Sequence, residues 1–224
     1  MKKLIIGILL SVIPILNLTA LGYALENSGM GRNRKKAMPE WEKFGYLFGV
    51  GIKAFVVNAL YLMPVIIVIM IGFGIVAGDI AGVIISNMDQ AGLAQLDIQT
   101  SGEAQALFES IFQENWMQLL PSMMTAGAFF AVSVILAIAA SYITPMAVLN
   151  CLNKKHLGEA FDFTTVARKA FTQEYLIAWI VVLLVKMITR LAFMWMPIVG
   201  YAAYFFISKV IAYSIYGQVY KKVK

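Results

Sequence analysis

A bundle of α-helices crossing a membrane several times is the fold class predicted by three features of this 224-residue chain. The first is composition. Hydrophobic residues make up 61% and charged residues 13%, against about 45–50% and about 25% in soluble domains, so too little polar surface remains to cover a soluble body. The second is a set of uncharged apolar runs. Residues 54–78 and 115–153 hold no charge at all, and about 20 apolar residues already span a hydrocarbon core. The third is an asymmetry: residues 78–121 carry six carboxylates and no basic residue, while all 18 lysines and arginines lie elsewhere. Basic flanks resist translocation and acidic residues hardly affect orientation. The acidic stretch, 79–120, is therefore expected outside as a long loop, with the basic patches and the C-terminus in the cytoplasm of a multi-pass cell-membrane protein. The length allows one compact membrane domain over 1–224 and no separate soluble domain.

The net charge of +6 collects where anionic headgroups would meet it, each basic residue near the surface contributing roughly 1 kcal/mol. Membrane lipids are the expected partners, with another membrane protein as a further candidate and nucleic acid not expected. The single cysteine, Cys151, excludes an internal disulfide and any multi-cysteine metal site. A lone cysteine at a helix end reads as a small interfacial residue, with palmitoylation as the alternative.

Five spans are expected, near 4–25, 54–78, 122–151, 175–195 and 198–220. The first run begins after Lys2 and Lys3, as a secretory signal does, yet has the length of a span. Pro14 and Asn17 also suit a re-entrant or kinked segment. Between the lysines on one side and Arg32-Asn33-Arg34-Lys35-Lys36 on the other, the stronger cluster should stay inside and leave the first terminus outside. From Met38-Pro39-Glu40-Trp41 an amphipathic helix is expected, with proline in its first turn and Glu40 at the positive end of the dipole. Trp41, Phe44, Phe48, Ile52 and Phe55 recur at helical spacing, so this helix should lie in the cytoplasmic interface. In the acidic stretch, Leu107, Phe108, Ile111 and Phe112 suggest a short helix on the outer leaflet. Interfacial turns are expected on both sides of Pro121. Ser133, Ala137 and Ser141 form a small-residue row suited to close helix approach, and Pro145 should kink or end its helix. A second cytoplasmic interfacial segment covers 158–171. Pro197 marks the last turn. Trp116 and Trp195 belong to the outer aromatic belt and Trp41 to the inner one.

The two interfacial segments echo each other faintly: Glu40-Trp41 with Lys53-Ala54-Phe55, and Glu159-Ala160-Phe161 with Lys169-Ala170-Phe171. At these residues the chain resembles a prokaryotic membrane family known as domain-of-unknown-function 4013. The resemblance rests on Gly22-Tyr23, Pro39-Glu40-Trp41, the stretch 51–61 with Pro64, Pro145, Ala160-Phe161-Asp162-Phe163 and Glu174-Tyr175-Leu176. It covers most of the chain, but not the acidic stretch. It implies a multi-pass membrane protein with no assigned activity and no catalytic residues to carry over.

The constellation that points to chemistry is cationic. Lys186 and Arg190 are four apart and share a helix face. Counted from Pro197, Lys186 and Lys209 lie at nearly the same depth, roughly 17 Å along the helix, and no acidic residue occurs in either of the last two spans. A charge at the bilayer centre costs about 2.5–3.5 kcal/mol on insertion scales, so intramembrane cations suggest function. Lys186, Arg190, Lys209 and Tyr213 are the candidate contacts for an anionic lipid or a small anion, with Tyr204, Tyr216 and Asn58 as further donors. A plainer reading has both lysines snorkelling to an interface and Arg190 pairing with an acid such as Asp79.

Catalytic, cofactor and metal sites are not expected. His156 is the only histidine, beside Lys154 and Lys155, and one histidine with one cysteine cannot build the usual zinc site. Glu159 and Asp162 read as a helix-start acid and a solvated residue. The outer carboxylates show no spacing of a preformed cation cage, and phosphate loops and nucleophile elbows are missing. Gly45 and Gly49 are spaced for close contact but more simply adjust shape. The expected role is thus a non-enzymatic module that binds an anion through its last hairpin. A scaffold or transport-complex subunit, or a transporter, are the alternatives.

Overall fold

The computed structural model describes residues 2–30, 39–41, 43–91 and 101–223; for 87–91 and for ten residues between 101 and 114 it describes the backbone alone. The Arg32–Lys36 cluster, Met38, Asp97 and the side chains of Asp89, Glu103, Leu107, Phe108, Ile111, Phe112 and Glu114 thus lie outside the described residues. The described chain is all-α, with no strand: α1 (Lys2–Val12), α2 (Asn17–Glu26), α3 (Phe44–Ala91), α4 (Ser101–Lys154), a 3-10 turn (Leu157–Phe161), α5 (Phe163–Ala170), α6 (Gln173–Phe193) and α7 (Val199–Lys222). Four helices are long and apolar enough to cross a membrane, lying within Phe44–Ser86, Asn115–Lys154, Gln173–Phe193 and Val199–Lys222.

The first apolar run departs from the expected continuous span. It is broken at residues 13–16 into helices of 11 and 10 residues, each short of the roughly 20 residues a span needs. Pro14 has no N–H to continue the ladder, and the chain folds back so that α1 and α2 pack against each other and both against α7.

The expected helix start at Pro39 also moves. Residues 39–41 are non-helical and α3 begins at Phe44. The Tyr23 hydroxyl donates to the Pro39 carbonyl at 3.0 Å and the Trp41 indole donates to the Lys3 carbonyl at 3.0 Å. These tertiary bonds hold the segment out of a helix, against its local preference. The stretch read as a loop is helical at both ends, to Ala91 and from Ser101, as its Ala, Gln, Glu and Leu content permits. Neither Pro121 nor Pro145 ends α4, which runs on to Lys154, where Lys155 turns into the left-handed region at φ 62°.

The chain divides into two compact units, residues 1–61 with 139–224 and residues 62–138. In the second unit, α3 and α4 lie side by side, and a side chain on Gly72 would come within 3.1 Å of the Phe129 Cβ. Val65, Leu119, Ser122 and Ser133 are buried there, whereas Ile67, Met70, Phe73, Phe130 and Ile135 are exposed. An apolar surface of this kind is what lipid tails leave unpenalised.

The first unit is built round α7, with α6 returning antiparallel beside it and the α1–α2 fold-back against it. Its core holds Tyr23, Leu25, Val57, Met146, Leu149, Val166, Tyr175, Val182 and Phe206. Close backbone approach sets its geometry. A Cβ on Gly22 would lie 1.8 Å from the Leu47 carbonyl oxygen, and one on Gly51 would lie 1.8 Å from that of Leu18. Gly45 and Gly49, by contrast, face open space.

Candidate functional site: the turn end of the α6–α7 hairpin

The helices that carry the candidate cations are fixed at their ends by local chemistry. Thr172 caps α6, accepting from the Tyr175 N–H at 3.4 Å. Residues 194–198, with Pro197, reverse the chain into α7. At that turn Gly200 lets the backbones meet, since a Cβ there would fall 2.0 Å from the Phe193 carbonyl oxygen.

Just inside the turn lies a cavity of about 470 Å³, within the range of small-ligand sites. Its polar wall is Arg190, Tyr201 and Tyr204, and its apolar wall is Phe193, Met194, Met196, Pro197 and Gly200. The two tyrosine rings are tilted with centroids 6.3 Å apart. Arg190 is exposed and takes part in none of the ion pairs among the described residues. From residue 175 to the end of the sequence there is no carboxylate to neutralise it.

Of the four candidate residues, only Arg190 lines this cavity. Lys186 and Lys209 are half-buried and lie within electrostatic reach of each other, as their matched depth requires. Lys209 Nζ is 5.6 Å from the centroid of the Phe205 ring, one turn earlier on its own helix. Five residues separate Lys209 from Tyr204, about 7.5 Å along the axis, so the lysines sit deeper than the cavity's polar wall. Tyr213 is buried elsewhere, its ring 6.2 Å from Tyr216 in a cluster that continues to Tyr175 at 5.6 Å and Tyr142 at 5.0 Å. Asn58 spends its amide on its own helix, donating to the Ala54 carbonyl at 2.8 Å. Among the expected donors Tyr204 is therefore at the site, and Tyr213, Tyr216 and Asn58 serve packing and helix bonding. Sequence reasoning missed Tyr201 and the two methionines. The signal for Tyr201 was its place one turn before Phe205 and three residues before Tyr204, beside the Pro197 turn.

No group of three or more His, Cys, Asp or Glu side chains suited to a metal ion occurs among the described residues. Cys151 is buried, and His156 is turned to capping, its Nδ1 accepting from the Gly158 N–H at 3.3 Å.

Several motif residues of the family resemblance pack in the first unit, and none of them lines the cavity. Tyr23 stacks on Trp41 with centroids 4.0 Å apart. Tyr61 stacks on Phe161 at 5.7 Å and donates to the Ala160 carbonyl at 2.7 Å. Gly22 and Gly51 make the α2–α3 approach, and the model of one family, Protein of unknown function (DUF4013), matches residues 5–199. The chain belongs to the DUF4013 family. No match was found among curated proteins or solved structures. The DUF4013 match takes in Arg190 and Lys186 and ends at Val199, before Tyr201, Tyr204, Lys209 and Tyr213.

Proposed function

We propose that this DUF4013 protein is a multi-pass cell-membrane protein that binds an anionic lipid, or a small anion of the same headgroup chemistry, at the outer end of its last hairpin. Its C-terminus is cytoplasmic and residues 79–120 are outside. It acts by binding, without catalysis or cofactor.

The decisive feature is the cavity in which Arg190 stands beside Tyr201 and Tyr204 with no carboxylate partner among the described ion pairs. A guanidinium presents a planar fork that matches two phosphate or carboxylate oxygens at once. Two phenol hydroxyls beside it supply further donors. The Met194, Met196 and Phe193 side chains suit the glycerol and upper acyl carbons that follow a phosphate in a lipid. Lys186 and Lys209, deeper in the hairpin, add positive potential behind the site.

Native mass spectrometry of the detergent-purified protein with added phosphatidylglycerol tests this, wild type beside Arg190→Gln and the Lys186→Gln/Arg190→Gln/Lys209→Gln variant. Removing a charge-assisted hydrogen bond worth about 1.5–3 kcal/mol should weaken the adduct roughly 10- to 100-fold in Arg190→Gln. Free glycerol phosphate, tried in parallel, separates a headgroup site from one that needs the lipid tails. Equal adducts on wild type and both variants would refute the site.

A further inference from the structure

The opposite end of the same hairpin carries a second, unrelated arrangement. Lys169, in the last turn of α5, reaches across to the end of α7. Its ammonium donates to the carbonyls of Tyr220, at 3.4 Å, and Val223, and lies 4.4 Å over the Tyr220 ring. Tyr220 in turn donates to Asn150 at 2.6 Å, and Asn150 donates to the Glu159 carbonyl at 2.7 Å. The last turns of α4, α5 and α7 are thereby tied together. Burial, with the neighbouring Arg168 charge, pushes the Lys169 ammonium down from its ordinary value. Arg168, Lys221 and Lys222, distant in sequence, come to one end of the unit, and all three are exposed.

The nearby carboxylates are largely committed. Glu159 and Asp162 both pair with Lys154, at 2.6 and 3.6 Å, and Asp162 also caps α5, accepting from the Thr165 N–H at 3.1 Å. Arg168, Lys155, Lys221 and Lys222 appear in none of the ion pairs among the described residues. Glu174 is the one further acid close in sequence, exposed in the first turn of α6.

On α5 itself, Val166 and Ala170 are buried against the unit. Thr164, Arg168 and Phe171 share the other side, and Phe163 at the helix start is exposed as well, the two phenyl rings by 65% and 73%. These rings are held in place, Phe163 edge-on to Tyr61 at 6.2 Å and Phe171 tilted on Tyr142 at 6.0 Å. A short helix with an exposed cation and phenylalanines projecting at both its ends is suited to a charged, half-apolar boundary. The chain also dictates which boundary. Two residues after Phe171, α6 begins its membrane-length apolar run, so α5 is tethered where that run enters the bilayer.

We propose that this end of the unit, with Phe163, Phe171, Arg168, Lys221 and Lys222 exposed, docks on the anionic lipid headgroups of the membrane surface. The phenyl rings enter the headgroup layer and the cations meet the phosphates. The docking is independent of the Arg190 cavity, which lies at the other end of the hairpin.

The test uses the full-length protein carrying Thr164→Cys and a nitroxide label, in nanodiscs of pure phosphatidylcholine and of phosphatidylcholine with about one-third phosphatidylglycerol. Cys151 is buried, and label incorporation into the wild type measures any background. Collision with dissolved oxygen against a water-soluble nickel complex reads the depth of the label. The oxygen-to-nickel ratio should rise several-fold in the anionic discs, and Arg168→Gln/Lys221→Gln/Lys222→Gln should cancel the rise. Should that variant fail to fold, raised salt on the unaltered labelled protein should reduce the rise by screening. Arg190→Gln should leave the ratio unchanged. A label equally open to nickel in both disc types overturns the proposal, and so does a rise that survives both the charge removal and the salt.

Discussion

Replacing Gly22 by alanine should destabilise the protein, although alanine is the better helix former. In an open helix the exchange favours alanine by about 1 kcal/mol. Here the added Cβ would lie 1.8 Å from the Leu47 carbonyl oxygen and 2.7 Å from its carbon. Ordinary contact begins near 3.4 Å, so α2 and α3 would have to part by about 1.5 Å. Both neighbours are backbone atoms, and no side-chain rotamer can absorb the shift. Overpacking of a filled interior costs about 1–3 kcal/mol, and the parting also loosens Leu25 and Val57, both fully buried. The net expectation for Gly22→Ala is a loss of about 1–3 kcal/mol, and the same for Gly51→Ala, whose Cβ would meet the Leu18 carbonyl oxygen at 1.8 Å. The chain contains its own control. Gly74, Gly78 and Gly82 stand in α3, where an added Cβ meets nothing within 4 Å. Alanine at these positions should be neutral or stabilising by up to about 1 kcal/mol. Thermal unfolding in detergent, followed by size-exclusion chromatography, gives the ranking. Gly22→Ala unfolding at or above the wild-type temperature would refute the reasoning, as would Gly78→Ala losing as much as Gly22→Ala.

Two further predictions concern the linker between α4 and α6. Tyr61→Phe keeps the ring stack on Phe161 but leaves the Ala160 carbonyl without its 2.7 Å donor; a loss of about 1 kcal/mol should appear as faster proteolysis within 155–172, and an unchanged cleavage rate would count against that bond. Asp162→Ala removes the cap of α5 and should lower its stability. Hydrogen bonds from Thr165, side chain before backbone, hold the Asp162 carboxyl below the ordinary carboxylate range. A depressed carboxyl stabilises the fold above its unfolded pKa, near 3.9, and the contribution fades as pH falls through the folded value. The stability gap between wild type and Asp162→Ala should therefore be full at pH 7 and shrink below about pH 4, a trend that unfolding curves across that range would reveal or refute.

The last two long helices were legible almost to the residue. Expected over 175–195 and 198–220, they run Gln173–Phe193 and Val199–Lys222. Their signals are local: two apolar runs and a proline turn between. The first apolar run was legible only in part: Pro14 allowed a kinked or re-entrant segment, but hydropathy is blind to chain reversal and favoured a continuous span. Residues 4–25 have the composition of a span, yet Pro14 breaks them, and the two halves find partners on each other and on α7. A side chain on Gly7 would lie 2.1 Å from the Phe206 ring, a contact between residues 199 positions apart. The expected helix start at Pro39 failed for a similar reason. Its proline and acid signal a helix start, but bonds to Tyr23 and Lys3 hold it otherwise.

The candidate site divides in the same way. Its charge was readable, since three cations and no acid in two apolar spans is a property of the string. Its location was not. Arg190 became the site because Gly200 lets the α7 backbone approach Phe193 and leaves a hollow beside Tyr201 and Tyr204. Tyr213 left the site because its face of α7 turns toward Tyr175 and Tyr216.

By itself, then, the sequence determined what depends on neighbours along the chain: an all-α fold, helices of membrane length, the turn at Pro197, and the absence of acidic residues from the last two expected spans. The tertiary structure alone decided what depends on neighbours in space. It folded the first apolar run back on itself, drew Tyr23, Trp41, Tyr61 and Phe161 into stacked pairs, and gathered Arg168, Lys221 and Lys222 at one end of the bundle. Helix formation is settled within a few turns by backbone hydrogen bonds. Which faces meet is settled by close packing between segments far apart in the chain, and no local pattern encodes that choice.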